Sequence, residues 1–67
     1  MVSDERFRRG DVVEVPFYMD VMPARVLEVY GPPTWRRVLV EIIFAEEPEE
    51  PWTIRYNIED VRPLKAA

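Results

Sequence analysis

The stretch that most constrains this chain is a pair of β-rich runs joined by Gly31-Pro32-Pro33-Thr34. Residues 24–30 and 37–44 are dominated by Val, Ile, Leu and Tyr, side chains that suit the pleated, half-buried surface of a sheet. Glycine followed by two prolines cannot continue a hydrogen-bonded ladder, so the chain must turn between the runs. The stretch therefore predicts a β-hairpin around which shorter strands are arranged.

Three further strands are predicted at residues 12–17, 52–56 and 61–64, because apolar or branched side chains recur there with a period of two. Residues 18–23 are expected to form an apolar connection longer than a tight turn. Residues 57–60 are too few for an α-helix and predict a single 3₁₀ turn before the last strand.

The predicted organisation is one domain. Residues 1–9 alternate charges around Phe7 and are expected to form a flexible N-terminal arm. Residues 10–64 form the domain, and residues 65–67 form a C-terminal tail. The result is an all-β chain of five strands with a short 3₁₀ turn before the last of them.

The alternation within each run also predicts the core. In the third strand, Glu41 marks the solvent face, so Leu39 and Ile43 are expected to point outward beside it. Alternation fails in the second strand, which predicts a β-bulge near Leu27 or Glu28. The side chains predicted to be buried together are Val13, Val15, Val26, Val38, Val40, Ile42, Ile54 and Val61, with Phe17, Phe44, Trp52 and Tyr56 on the same side of the sheet.

A chain of 67 residues buries a small core and usually needs additional stabilisation. It contains no cysteine and no histidine, which excludes disulfides and Cys/His zinc sites. A closed barrel or self-association remains as a source of stability. We expect no cofactor, no metal and no membrane span, and the absence of cysteine favours a cytoplasmic location.

The net charge of −4 has an uneven distribution. Residues 46–50, Glu-Glu-Pro-Glu-Glu, carry all of it, and acids and bases balance in the rest of the chain. Four carboxylates on one short loop repel each other and stay solvated, whereas acid–base catalysis needs rigid carboxylates in contrasting environments. We therefore expect no enzymatic activity and no catalytic residues.

Three segments resemble small SH3-like barrels. Gly10-Asp-Val-Val-Glu-Val15 is similar to the opening strand of KOW, Tudor and Agenet modules. Met22-Pro-Ala-Arg-Val-Leu27 resembles the second strand of Agenet modules, with Met22 where that family has an aromatic residue. Tyr56-Asn-Ile-Glu-Asp-Val-Arg-Pro-Leu64 is similar to the Agenet and Tudor ending. The resemblance implies a five-stranded SH3-like barrel that works as a binding module or as a small accessory subunit docked on a larger protein.

Tudor-type readers hold methylated lysine in a cage of aromatic rings on the loops between strands. The rings available for such a cage are Phe17, Tyr18, Tyr30, Trp35, Trp52 and Tyr56, although filling a small core is the favoured role for most of them. Only Tyr18 and Trp35 fall at predicted loop positions. The outward apolar residues of the third strand, joined by Leu27 or Val29, and the apolar first loop with Val21 predict a contiguous docking patch.

The favoured function is a non-catalytic protein–protein interaction module or accessory subunit that binds a protein partner or a second copy. Its predicted partner-binding residues are Tyr18, Met19, Met22, Trp35, Leu39 and Ile43. The alternative is a Tudor/KOW-type nucleic-acid-associated protein with Trp35 as a stacking platform. Its predicted contacts are Arg6, Arg8, Arg9, Arg36 and Arg37. A neutral domain with an acidic loop makes nucleic acid the less favoured partner.

Overall fold

A computed structural model describes residues 6–64, so the first five residues of the predicted arm and the whole predicted tail lie outside the described residues. The described chain forms one five-stranded antiparallel sheet with the strand order β4-β3-β2-β1-β5. The all-β prediction is confirmed, but the sheet is open, because no pairing joins β4 to β5 among the described residues. The elements are β1 Val12–Phe17, β2 Asp20–Tyr30, β3 Arg37–Ile42, β4 Thr53–Asn57, the 3₁₀ turn Ile58–Asp60 and β5 Arg62–Pro63.

The connection between β1 and β2 is a tight turn, so the prediction of a longer connection over residues 18–23 is wrong. Phe17 pairs with Asp20, which leaves two residues to reverse the chain. Pro23 favoured a loop in the sequence because it cannot donate to a ladder. It lies where the pairing with β3 ends, and its carbonyl accepts the amide of Ile43 at 2.9 Å. A missing N–H is tolerated at that position.

The predicted bulge in β2 is confirmed. The register between β2 and β3 shifts between Val26 and Glu28, which leaves Leu27 as the extra residue. A bulge of this kind bends its strand and increases the local twist. The extra residue also returns Val29 to the core side, where it packs against the buried cluster. Of the two candidates for the outward patch, only Leu27 remains.

Several strand ends differ from prediction by one or two residues. β3 ends at Ile42 rather than Phe44, and β4 begins at Thr53 rather than Trp52. The 3₁₀ turn begins at Ile58, one residue later than expected. Strand ends are set by hydrogen bonds to neighbouring strands. The alternation of apolar residues in the sequence carries no information about those bonds.

Phe7 belongs to the core, with 5% of its surface exposed. The chain after it is tied to the bulged strand, because the amide of Gly10 donates to the carbonyl of Val26 at 2.8 Å. The amide of Val26 in turn donates to the carbonyl of Asp11 at 2.8 Å. The amide of Arg8 donates to Oδ2 of Asp11 at 2.9 Å and completes a turn. The described end of the predicted arm is therefore built into the fold.

The buried core consists mostly of valine. Ile54 was predicted to be buried and is instead half-buried against this core. Trp52 was predicted to lie on the core side, but 46% of its surface is exposed, because it precedes β4 at the end of the sheet. The buried residues are Phe7, Val13, Val15, Ala24, Val26, Val38, Val40, Ile42 and Val61.

One side-chain hydrogen bond joins two strands that are not neighbours in the sheet. The hydroxyl of Tyr56 in β4 donates to the carbonyl of Pro16 in β1 at 2.5 Å. The sheet is therefore curved enough to bring these two strands together across the core. Burial raises the pKa of the Tyr56 hydroxyl above its ordinary value.

The variant Tyr56→Phe tests this contact. We expect it to lower the free energy of unfolding by about 0.5–1.5 kcal/mol at neutral pH, through loss of one hydrogen bond. Above about pH 10 the unfolded wild type loses the hydroxyl proton while the folded form retains it, so the contribution of Tyr56 is lost as the pH rises through its raised pKa. Urea unfolding of both proteins at neutral pH and about pH 10.5 measures this.

Both proteins carry the same other titrating groups, so the difference between them isolates the Tyr56 hydroxyl. The gap in unfolding free energy should narrow at the higher pH. A gap that stays constant would show that the Tyr56 hydroxyl titrates alike in both states.

Candidate functional site

Four aromatic rings cluster where β1 ends and β4 begins. The ring of Phe17 lies at its centre, 4.7 Å from Tyr18, 5.9 Å from Phe44 and 5.9 Å from Trp52 between centroids. Phe44 and Trp52 are 5.6 Å apart, and all four pairs meet edge to face. We call these four rings, with the neighbouring Met19, the aromatic end of the molecule.

The outer members of the aromatic end are strongly exposed. Tyr18 exposes 85% of its surface, and Met19 is fully exposed at 102%. Val21 adds a further exposed apolar side chain on β2. A cluster of large apolar side chains in contact with one another is typical of an interaction site, whereas isolated ones are ordinary.

The backbone of Tyr18 adds a second unusual feature. Its φ is 56°, the only positive φ of a non-glycine residue among those described. A positive φ at the first of two turn residues is typical of a type II′ turn, where glycine is preferred. A bulky residue there costs about 1–3 kcal/mol, and such strain occurs mostly at functional sites.

An acidic loop, residues 45–51, connects two rings of the aromatic end, Phe44 and Trp52. Its glutamates are exposed and make no hydrogen bond or ion pair with any described residue. Glu47 lies beside Ile43 and Phe44 in a cleft of about 210 Å³. The aromatic end therefore combines apolar rings with unpaired negative charge. The glutamates of the loop are Glu46, Glu47, Glu49 and Glu50.

The other predicted docking residues do not form a continuous apolar patch. Leu39 lies on the outer face of β3, with Glu28 opposite on β2 and Arg55 opposite on β4. Charges on both sides interrupt the expected patch. Met22 is half-buried and packs against the core, because it pairs with the buried Val15. Ile43 alone lies close to the aromatic end, through the cleft it shares with Glu47.

Trp35 lies at the opposite end of β2 and β3 from Tyr18. Its indole Nε1 donates to Oδ1 of Asn57 at 3.0 Å. The guanidinium of Arg37 sits 4.1 Å from the centre of its ring. The structure divides the six rings available for a cage. Tyr30 and Trp35 lie at this end, Phe17, Tyr18 and Trp52 lie at the other, and the hydroxyl of Tyr56 is bonded to Pro16. A cage that combines Trp35 with Tyr18 is excluded by this separation.

The turn between β2 and β3 positions Trp35. Gly31 has a φ of +97°, and a Cβ there would lie 2.6 Å from the carbonyl oxygen of Trp35. The amide of Trp35 donates to the carbonyl of Pro32 at 2.9 Å, and Nη1 of Arg36 donates to the carbonyl of Gly31 at 2.7 Å. The Gly-Pro-Pro sequence thus forms a compact turn that permits only glycine at its start.

The five predicted nucleic-acid-contacting arginines lie in the half of the molecule around this turn. Arg6 and Arg36 line a cleft of about 390 Å³ together with Trp35. Arg8 and Arg9 line a second cleft, of about 260 Å³, beside the bulge of β2. We call this region the arginine end. It consists of Arg6, Arg8, Arg9, Trp35, Arg36 and Arg37.

The described residues contain no group of three or more acidic, His or Cys side chains arranged to hold a metal ion. None of the helical segments described is long and apolar enough to cross a membrane. A comparison with protein-family models, with curated proteins and with solved structures finds nothing that matches the chain.

The sequence placed Phe17, Phe44 and Trp52 on the core side. Phe17 and Phe44 do pack against the core, but 46% of the surface of Trp52 is exposed. The acidic loop was not connected with these rings in the sequence analysis. The signal was present, because the four glutamates lie directly between Phe44 and Trp52 in the sequence. What was missing was the tight β1–β2 turn, which places the ring of Tyr18 against Phe17.

Two substitutions at Tyr18 measure the strain in the turn. Tyr18→Gly and Tyr18→Ala both remove the ring, but only glycine adopts a positive φ freely. We expect the glycine variant to be more stable than the alanine variant by about 1 kcal/mol in urea unfolding. Equal stability of the two variants would contradict a strained turn.

Proposed function

We propose that this chain is a non-catalytic protein-interaction module and that the aromatic end is its docking surface. One observation carries the proposal: the exposed side chain of Tyr18 is held on a strained turn against Phe17, in a ring cluster joined to a loop of four glutamates that pair with no described residue. A strained backbone at an exposed tyrosine lowers stability. We therefore infer that this residue serves the contacts of its ring rather than the stability of the fold.

The chemistry of the aromatic end suggests the partner. Exposed rings of Tyr18 and Trp52 attract cations through their faces, and the adjacent loop attracts them by charge. Met19 has a flexible side chain that adapts to an irregular apolar surface. We therefore propose a protein partner that presents a segment combining Lys or Arg with apolar side chains.

The proposed architecture is an SH3-like barrel of the Tudor, Agenet and KOW type. The five antiparallel strands and the 3₁₀ turn before the last strand support this resemblance. The hydrogen bond from Tyr56 to Pro16 supports curvature toward a closed form. A cytoplasmic location is part of the same proposal, because the chain has no cysteine.

Calorimetric titration with designed peptides tests the docking surface. The probe is a peptide of alternating Lys and Leu, compared with the same peptide carrying Glu for Lys. We expect a dissociation constant near micromolar for the basic peptide and no measurable binding of the acidic one. A further peptide with trimethylated lysine distinguishes a methyl-lysine cage, which would bind it at least about tenfold more tightly.

The paired variant is Tyr18→Ser with Met19→Ser, and the matched control is Trp35→Phe at the other end. The paired variant should bind the basic peptide about tenfold more weakly or worse, and the control should bind like the wild type. Thermal unfolding confirms that each variant is folded. Equal affinity of the paired variant and the wild type would overturn the proposal.

Nucleic-acid binding at the arginine end is the second candidate function. The observation that favours it is that Arg37 lies against the ring of Trp35 and that Arg6 and Arg36 share a cleft with it, while Arg8 and Arg9 line a second cleft. The test is a fluorescence titration with mixed-sequence oligonucleotides over a range of salt concentrations. If the arginine end binds nucleic acid, binding should weaken steeply with salt and be lost in the variant Arg36→Glu with Arg37→Glu. If the chain is a protein-interaction module only, its affinity for the oligonucleotide should be low at physiological salt.

A further inference from the structure

Arg37 is a charged group that has no anionic partner among residues 6–64. Its guanidinium contacts the ring of Trp35 at 4.1 Å, and its Nε is buried with no hydrogen-bond partner. Its neighbours across the strands, Tyr30 and Asn57, are both uncharged. A buried donor without a partner costs about 1–3 kcal/mol. Because Nε itself is buried, a carboxylate from outside can reach this guanidinium only at its terminal nitrogens.

Arginines outnumber carboxylates among the described residues around Arg37. Three described carboxylates lie among the arginines of the arginine end. Glu59 lines the cleft with Arg36, and Glu28 lines the cleft with Arg9. Asp11 already accepts the backbone amide of Arg8. The described part of the arginine end therefore carries more arginines than carboxylates, and the guanidinium of Arg37 lies against the ring of Trp35.

The acidic loop has the opposite character. Its four glutamates are exposed and make no hydrogen bond or ion pair with a described residue. The loop leaves β3 after Ile42 and returns at Thr53, at the end of the sheet away from the β2–β3 turn. It therefore lies at the far end of the molecule from Arg37. Guanidinium and carboxylate groups pair through two parallel hydrogen bonds when geometry allows.

We propose that the arginine end binds the acidic loop of a second copy, so that copies associate head to tail. Acids and bases balance in the chain outside the loop, so the loop carries the whole net charge of −4. Each copy presents one positive surface, the arginine end, and one negative surface, the acidic loop. A head-to-tail contact between them leaves one surface open on each outer copy, so further copies can add instead of the assembly closing as a dimer. The proposal of self-association does not rest on the proposed peptide binding. A basic peptide bound to the acidic loop would, however, compete with the second copy.

Sedimentation of the wild type and two variants tests the proposal. The loop variant replaces Glu46, Glu47, Glu49 and Glu50 with Gln, and the arginine variant carries Arg9→Gln and Arg37→Gln. At about 20 mM salt the weight-average sedimentation coefficient of the wild type should rise with protein concentration, and at about 0.5 M salt it should not. Each variant alone should remain monomeric.

A mixture of the two variants provides the sharpest comparison. Each variant retains the surface that the other lacks, so an equimolar mixture should form a dimer and stop there. The same dimer shows that both variants are folded. The matched control, Arg55→Gln with Arg62→Gln, removes two arginines that line neither the clefts of the arginine end nor the cleft beside the acidic loop, and it should associate like the wild type.

Three results would overturn the proposal. The first is a wild type that remains monomeric at low salt over the whole concentration range. The second is a mixture of the two variants that fails to associate. The third is a control variant that loses association as the arginine variant does. If the wild type stays monomeric but binds a mixed-sequence oligonucleotide through Arg37, the arginine end is a phosphate-binding surface instead. Each outcome is independent of peptide binding at Tyr18.

Discussion

The extra residue at Leu27 is the constraint on which the rest of the structure depends. Because β2 bends there, its first part, residues 20–25, pairs with β1, while residues 24–30 pair with β3. Just before the bulge, Gly10 and Asp11 hydrogen-bond to Val26, and the chain preceding them carries the ring of Phe7 into the core. A core of small β-branched side chains can then be enclosed by a single sheet, with the hydrogen bond from Tyr56 to Pro16 joining its distant strands.

The length of β2 also separates two chemically different ends. One end combines exposed rings with an acidic loop, and the other combines arginines with Trp35. The two turns differ in energetic character as well. Gly31 satisfies the positive φ that its turn requires, whereas Tyr18 occupies a similar backbone conformation at a cost. The strained turn is the one that presents an exposed ring, which agrees with a role in docking.

Much of the sheet could be predicted from the sequence, because alternation in β1 and β3 directly reports which side chains face the core. The bulge followed from a break in that alternation at Leu27. The tight first turn did not, since Pro23 suppressed the strand pattern and Tyr18 is an atypical turn residue. Tyr18 and Met19 of the aromatic end were predicted as partner-binding residues, but the exposure of Trp52 beside them was not. Aromatic residues at strand ends have the same pattern as core residues, and only pairing across the sheet shows that Trp52 is half exposed.

The central claim is that the two ends recognise different partners, and the two tryptophans allow it to be tested directly. Trp35→Phe leaves Trp52 as the only indole at the aromatic end, and Trp52→Phe leaves Trp35 at the arginine end. Each single-tryptophan protein is titrated with the same Lys and Leu peptide while its fluorescence is recorded. The account predicts a saturable change in the emission of Trp52 and none in that of Trp35. A change confined to Trp35, or equal changes in both, would contradict it.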